Sequence, residues 1–193
     1  MGVVQAGSSR APVADEVTRL FRERGNSNYG QEPVTQQQHA LQAAFFAERE
    51  QAGPALIAAA LLHDVGHLLH DLSEDAPNHG TDDRHEHLAA QWLRQRFSAG
   101  VVEPVALHVE AKRYLCAVDA DYESELSPAS QLSLRLQGGP MAAPDIRRFE
   151  EHPFFRAAVR LRRWDDAAKI IGLATPPLEH FVRYIDAAGL GSA

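Results

Sequence analysis

The sequence predicts an all-α protein, and three observations carry that prediction. Apolar residues recur at helical spacing along most of the chain. Alternating apolar and polar runs, which would mark half-buried strands, are nearly absent. No repeat, coiled coil or domain linker divides the chain. With 193 residues, 45% of them hydrophobic, it is long enough for one domain with a full core. Residues 1–10 read as a flexible tail, because Met1 to Arg10 contains no apolar stretch, and residues 11–193 as a single domain.

Each helix has its own justification. Val13, Val17, Leu20 and Phe21 predict a short amphipathic helix that Gly25 stops. Asn26 to Pro33 is a loop. Thr35 is a cap for a helix from about Gln36 to Glu50, with Ala40, Leu41, Ala44, Phe45 and Ala47 on its apolar face. Gly53-Pro54 opens the next helix. Ser73 to Arg84, broken by Pro77 and Gly80, reads as an irregular flap. Helices over His85 to Phe97 and Val101 to Cys116 follow. Ser127 and Pro128 start another that reaches about Gln137, and Gly138-Gly139-Pro140 ends it. Phe149, Phe154, Phe155, Val159 and Leu161 belong to later helices. Pro176-Pro177 starts a last one with Phe181, Tyr184 and Ile185.

Composition excludes several function classes. The net charge of −7 argues against broad nucleic-acid binding, which needs a basic face. Cys116 is the only cysteine, so neither an internal disulfide nor a cysteine-cluster metal site is available. No apolar run approaches the ~20 residues of a membrane span. A soluble cytoplasmic protein without membrane partners is the expectation.

The chain is organised around residues 58–67, Ala-Ala-Ala-Leu-Leu-His-Asp-Val-Gly-His. An apolar run ends abruptly in two histidines and a carboxylate. On a helix, His63 and His67 are four apart and share a face. Asp64 lies about 100° round the axis from His63, where a carboxylate could bridge two metal ions. Gly66 removes a side chain where a ligand or another backbone must come close. Burying an imidazole and an unpaired carboxylate among aliphatics costs several kcal/mol unless something binds them. Imidazole with a bridging carboxylate favours iron or manganese over a lone structural zinc.

Five segments supply a buried-looking histidine or carboxylate: His39, His63-Asp64, His85, His108 and Asp165. This H…HD…H…H…D order resembles the HD-domain superfamily, an all-α helical bundle. Further strings narrow the resemblance: Tyr29-Gly30-Gln31-Glu32, His67, the run from His108 to Leu115, Gln137 to Met141, and Arg163-Trp164-Asp165. They are similar to the mixed-valence diiron oxygenases of the PhnZ/TmpB type.

The resemblance implies His39, His63, Asp64 and Asp165 on one iron, with Asp64 bridging to a second iron completed by His85 and His108. By the same resemblance one iron would be Fe(II) and the other Fe(III), with O2 as co-substrate. The implied reaction cleaves the C–P bond of (R)-1-hydroxy-2-aminoethylphosphonate or its trimethylammonio analogue, releasing phosphate with glycine or glycine betaine. A 2-oxoglutarate-dependent hydroxylase would supply that substrate. Lys112 and His67, each one turn after a ligand, would meet the phosphonate together with Ser130. Tyr29 and Glu32 would form a gate, the tyrosine over the iron and the glutamate at the substrate amine. No catalytic side chain is implied beyond the metal centre. The polar flap with Asn78, His79, Asp82 and Asp83 inclines the choice towards the trimethylated substrate. The competing reading is an HD phosphohydrolase, acting on a nucleotide or phosphomonoester with metal-bound hydroxide. His70, His79, His87, His152 and His180 have no constellation partners and read as structural or surface residues.

Overall fold

A computed structural model describes residues 12–69 and 85–190. The expected tail over residues 1–10 and the flap over residues 73–84 lie outside the described residues, as do His70 and His79. Helices account for all the regular structure described; two isolated bridges, Asn28 with Thr35 and Phe97 with Gly189, are the only strand-like pairings.

The first helix, α1 (Val13–Arg24), ends at Gly25, whose N–H bonds Phe21 O. Gly25 has φ −68°, so its role is space: a Cβ there would lie 2.5 Å from Phe21 O. α2 (Gln36–Arg49) starts with a capping box, in which Thr35 accepts from Gln38 N–H and the Gln38 side chain accepts from Thr35 N–H. Pro54 sits in the first turn of α3 (Pro54–Leu62), and Ile57 to Leu62 are buried without interruption. Ala43, Ala44, Ala58, Ala59 and Ala60 are fully enclosed. These small side chains let α2 and α3 approach closely, which draws His39 towards His63.

The histidine stretch departs from the single helix expected. α3 ends at Leu62, His63 and Asp64 form a turn, and α4 (Val65–Leu69) begins anew. His67 N–H bonds Asp64 O, three residues back, so the backbone tightens at that point. His63 and His67 therefore do not lie on one uninterrupted helical face.

α5 (His85–Arg94) is shorter than expected; Arg96 and Phe97 both bond Leu93 O. Gly66 lies against its first residue: a Cβ on Gly66 would fall 2.0 Å from His85 O. The helix expected over Val101 to Cys116 is two, α6 (Ala99–Ala106) and α7 (His108–Val118), bent at Leu107 with φ −101° and ψ 0°. Pro104, inside α6, has no N–H and crowds the turn before it. The bend lets His108 Nδ1 reach back to Val105 O at 2.7 Å.

α8 (Tyr122–Glu125) is a single turn. α9 (Pro128–Leu136) is capped by Ser127, which accepts from Ser130 N–H. Gly138 and Gly139 then take φ of 94° and 71°, a region that glycine enters without strain. α10 (Ala143–Glu150), α11 (Phe155–Ala167) and α12 (Leu178–Ala188) complete the chain.

The main core gathers α1, α2, α3, α5, α6 and α12 around Phe21, Leu61, Leu62, Leu93, Phe181 and Ile185. Smaller clusters form around Phe149 and around Leu134. α11 joins these regions, packing on α2, α3, α6 and α7. Among the described residues, no helix is long and apolar enough to cross a membrane.

Candidate metal centre

Polar side chains from α2, the α3–α4 turn, α5, α7 and α11 meet inside the bundle. His39, His63, His108 and Asp165 are at most 1% exposed. His39 Nε2 lies 3.0 Å from His63 Nε2, 3.5 Å from Asp64 Oδ2 and 3.3 Å from Asp165 Oδ1. His63 Nε2 is 3.3 Å from Asp64 Oδ2. These four residues bring one ligand atom each within 4.8 Å of one another.

The other oxygen of Asp64 serves a second group. Asp64 Oδ1 lies 3.4 Å from His85 Nε2 and 3.5 Å from His108 Nε2, and those nitrogens are 3.2 Å apart. His67 approaches the same edge. Its ring stacks on His85 with centroids 4.1 Å apart, and Asp64, His67 and His85 form a second possible ligand grouping.

The tautomers are set from outside the cluster. His39 Nδ1–H donates to Ala168 O at 2.9 Å, His63 Nδ1–H to Ala60 O at 2.8 Å, and His108 Nδ1–H to Val105 O. With Nδ1 donating, each neutral ring turns its Nε2 lone pair inward. Lone pairs thus face carboxylate oxygens, and acceptors facing acceptors need positive charge between them. Asp64 Oδ1 and Asp165 Oδ1 are buried without a hydrogen-bond partner. Ligand atoms about 3 Å apart are the edges of a polyhedron around a cation held at about 2.1 Å. The residues present therefore fit a pair of metal ions bridged by Asp64.

Electrostatics give the same preference for a cation. Burial disfavours the charged form of His63, yet Asp64 and Asp165 overcome that and hold its imidazolium up to about 10. Burial likewise opposes the Asp64 carboxylate, but His63 and His39 keep it well below the usual range. Burial pushes His108 down to about 3, leaving it a neutral donor ligand.

A guanidinium absent from the expected set anchors Asp165. Arg162 Nη1 donates to Asp165 Oδ2 at 2.8 Å, and its other nitrogens meet Asp166 and Tyr122. Its signal was in the sequence: Arg162 precedes Asp165 by three positions and so shares its face on α11.

The expected gate and anion contacts border this cluster. Tyr29 stacks flat on His39, centroids 3.8 Å apart and planes within 14°, and meets His67 edge-on at 6.4 Å. Burial, then the facing carboxylates Asp64 and Asp165, hold its phenol proton well above the usual range. Lys112 is buried and donates to Ser133 Oγ at 2.7 Å. Burial, then the Arg162 guanidinium, push its ammonium down to about 7. Ser130 is buried, and its Oγ accepts from Lys169 Nζ at 3.0 Å. Glu32 accepts from Ser127 Oγ and lies 3.5 Å from Lys169 Nζ. The sequence marks Ser127 only as a helix cap and does not single out Ser133 or Lys169; Lys169 follows Asp165 by four positions.

The remaining histidines stand apart. His180 meets Glu48 at 2.8 Å, His152 Nδ1 accepts Phe154 N–H, and His87 is exposed beside Glu86. Burial, then Glu123, push the Cys116 thiol up to about 11, so it stays protonated at neutral pH.

The chain is similar to known proteins over most of its length. The HD domain family matches residues 37–137. A hydroxymethylphosphonate dioxygenase of Gimesia maris is 49% identical over 90% of this chain and 87% of its own. A [1-hydroxy-2-(trimethylamino)ethyl]phosphonate dioxygenase (glycine-betaine-forming) of Leisingera caerulea is 38% identical over 90% of this chain and 88% of its own.

Proposed function

The chain belongs to the HD-domain family, and from that premise we propose that it is a diiron dioxygenase cleaving the C–P bond of a 1-hydroxyphosphonate. Residues 11–193 act as a single HD domain in the cytoplasm. The observation that carries the reading is the division of Asp64, Oδ2 towards His39 and His63 and Oδ1 towards His85 and His108.

His39, His63, Asp64 and Asp165 would hold one iron, and Asp64, His85 and His108 the other. When bound, the pair supplies chelation of the substrate hydroxyl and phosphonate and the redox chemistry of O2. The protein groups do the rest. Lys112 and Lys169, which donate to Ser133 and Ser130 of α9, supply cationic hydrogen-bond donors for a phosphonate dianion. Ser130 adds a hydroxyl, and His67 stacks on His85 with a ring nitrogen within 4.8 Å of ligand atoms of Asp64 and His85. Tyr29 covers His39 until substrate arrives, which keeps water and O2 from a reactive centre.

The overall balance is simple for the smallest substrate of this class. Hydroxymethylphosphonate and one O2 give formate, phosphate and one proton. A trimethylammonio substituent on the neighbouring carbon gives glycine betaine in place of formate. An upstream hydroxylase using 2-oxoglutarate would make either substrate from the parent phosphonate.

The test compares phosphate release from both hydroxyphosphonates under air and under argon, with metal analysis of the purified protein. The expected result is two irons per chain and release only under air. Release that continues under argon would mark a phosphohydrolase instead.

A further inference from the structure

Between the gate and the anion contacts stands Lys169. It follows Ala168, whose carbonyl holds His39, so its backbone is tied to the metal cluster. Gln42 clamps the next residue from both sides, accepting from Ile170 N–H and donating to Ile170 O at 2.9 Å each. The Lys169 ammonium donates to Ser130 Oγ at 3.0 Å, lies 3.5 Å from Glu32 Oε1, and sits 5.9 Å from the Tyr29 ring centroid. The Lys169 and Glu32 side chains are each 12% exposed, so water screens their pairing weakly.

The consequence concerns charge. A free Glu32 carboxylate beside the substrate would attract a cationic substituent. Here a cation of the protein already neutralises that carboxylate, and Ser127 Oγ donates to the same oxygen. A substrate ammonium entering this corner would lose its counter-charge to Lys169 and meet a like charge. A phosphonate oxygen would gain, because Lys169 and Lys112 both lean on α9, through Ser130 and Ser133 respectively.

We propose that Lys169 is a specificity-determining residue: by pairing with Glu32 it closes the subsite for a cationic substituent and commits the enzyme to hydroxyphosphonates without one, of which hydroxymethylphosphonate is the simplest. This rests on the oxygenase reading above and names the substrate class within it. It runs against the inclination drawn from residues 78–83, which lie outside the described residues.

The experiment uses iron-loaded wild type, Lys169→Met and Lys169→Arg. Phosphate release under air gives kcat/KM for hydroxymethylphosphonate and for 1-hydroxy-2-(trimethylammonio)ethylphosphonate. Calorimetry under argon gives binding of the same two compounds without turnover. Wild type should favour hydroxymethylphosphonate by at least about tenfold, and Lys169→Met should shrink that ratio by at least about tenfold, in binding as in kcat/KM. Lys169→Arg, which keeps the charge, should retain the wild-type preference. A wild-type ratio near one or favouring the cationic compound overturns the proposal, as does a ratio unchanged in Lys169→Met or lost in Lys169→Arg. No phosphate from either compound under air overturns the oxygenase reading and this proposal with it.

Discussion

Tyr29 lies flat on His39, their ring centroids 3.8 Å apart, so the proposed gate rests directly on a candidate metal ligand. Tyr29→Phe keeps the stacking surface and removes the hydroxyl. The expected outcome is unchanged iron content with faster O2 consumption in the absence of substrate, by about threefold to tenfold. An oxygen electrode trace of the variant without phosphonate checks it; a trace matching wild type removes the gating role.

Asp64→Asn keeps the shape of the side chain but lowers its charge and its bridging capacity. Metal content should fall from two ions per chain to one or none. Phosphate release should drop at least about a thousandfold. Elemental analysis beside the activity assay decides, and a variant that still holds two ions would show that the bridge lies elsewhere.

Lys112 provides a pH-dependent prediction. Its ammonium is pushed down to about 7, so it is charged below that pH and neutral above it. Affinity for a phosphonate dianion should therefore weaken as pH rises through about 7. Comparing wild type with Lys112→Met at each pH cancels the ionisation of the ligand itself. The advantage of wild type should be about tenfold or more at pH 6 and shrink above pH 8, with iron content kept in both. Loss of iron in Lys112→Met would reassign the residue. The stability effect has the opposite sense. Because the folded value lies below that of the unfolded chain, the folded state carries the cost of a buried charge at low pH, so Lys112→Met should be the more stable protein there and lose that gain as pH rises towards 10.

Arg162 is buried between Asp165, Asp166 and Tyr122. Arg162→Met leaves two carboxylates without their counter-charge in the protein interior. Such a loss typically costs about 3–5 kcal/mol. Thermal unfolding should shift down accordingly, and the iron held with Asp165 should dissociate more readily in a chelator titration.

Gly66→Ala tests a close approach. The added Cβ would meet His85 O at 2.0 Å, so α5 must move away from α4. A destabilisation of about 1–3 kcal/mol is expected, with the larger effect on the metal site that includes His85.

Much of the candidate site was legible because its residues are chemically out of place. His63 and Asp64 end an unbroken apolar run, and a buried imidazole or carboxylate is costly without a partner; His39, after three glutamines, and Asp165, among Arg162, Arg163 and Asp166, were legible only through the H…HD…H…H…D order. The supporting residues were not legible in the same way. Ser133 and Lys169 look like ordinary surface residues until α9 and the segment after α11 come together, and Arg162 carries only its three-residue spacing from Asp165. The breaks at His63 and Leu107 were also missed, since helical periodicity persists across both and the local tightening comes from a three-residue backbone bond in one case and Pro104 in the other.

By itself, the sequence determined the helical class, most of the helix starts, and the polar pair His63-Asp64 at the end of an apolar run, because periodicity, capping and burial cost act within a few residues. Tertiary structure alone decided that Asp64 presents one oxygen to each histidine pair and that Lys169 reaches Glu32. Those are relations between segments far apart in the chain, fixed by how alanine-lined helix faces pack and by backbone carbonyls such as Ala168 O that orient the rings. Nothing in local sequence encodes such distances; only the packed bundle does.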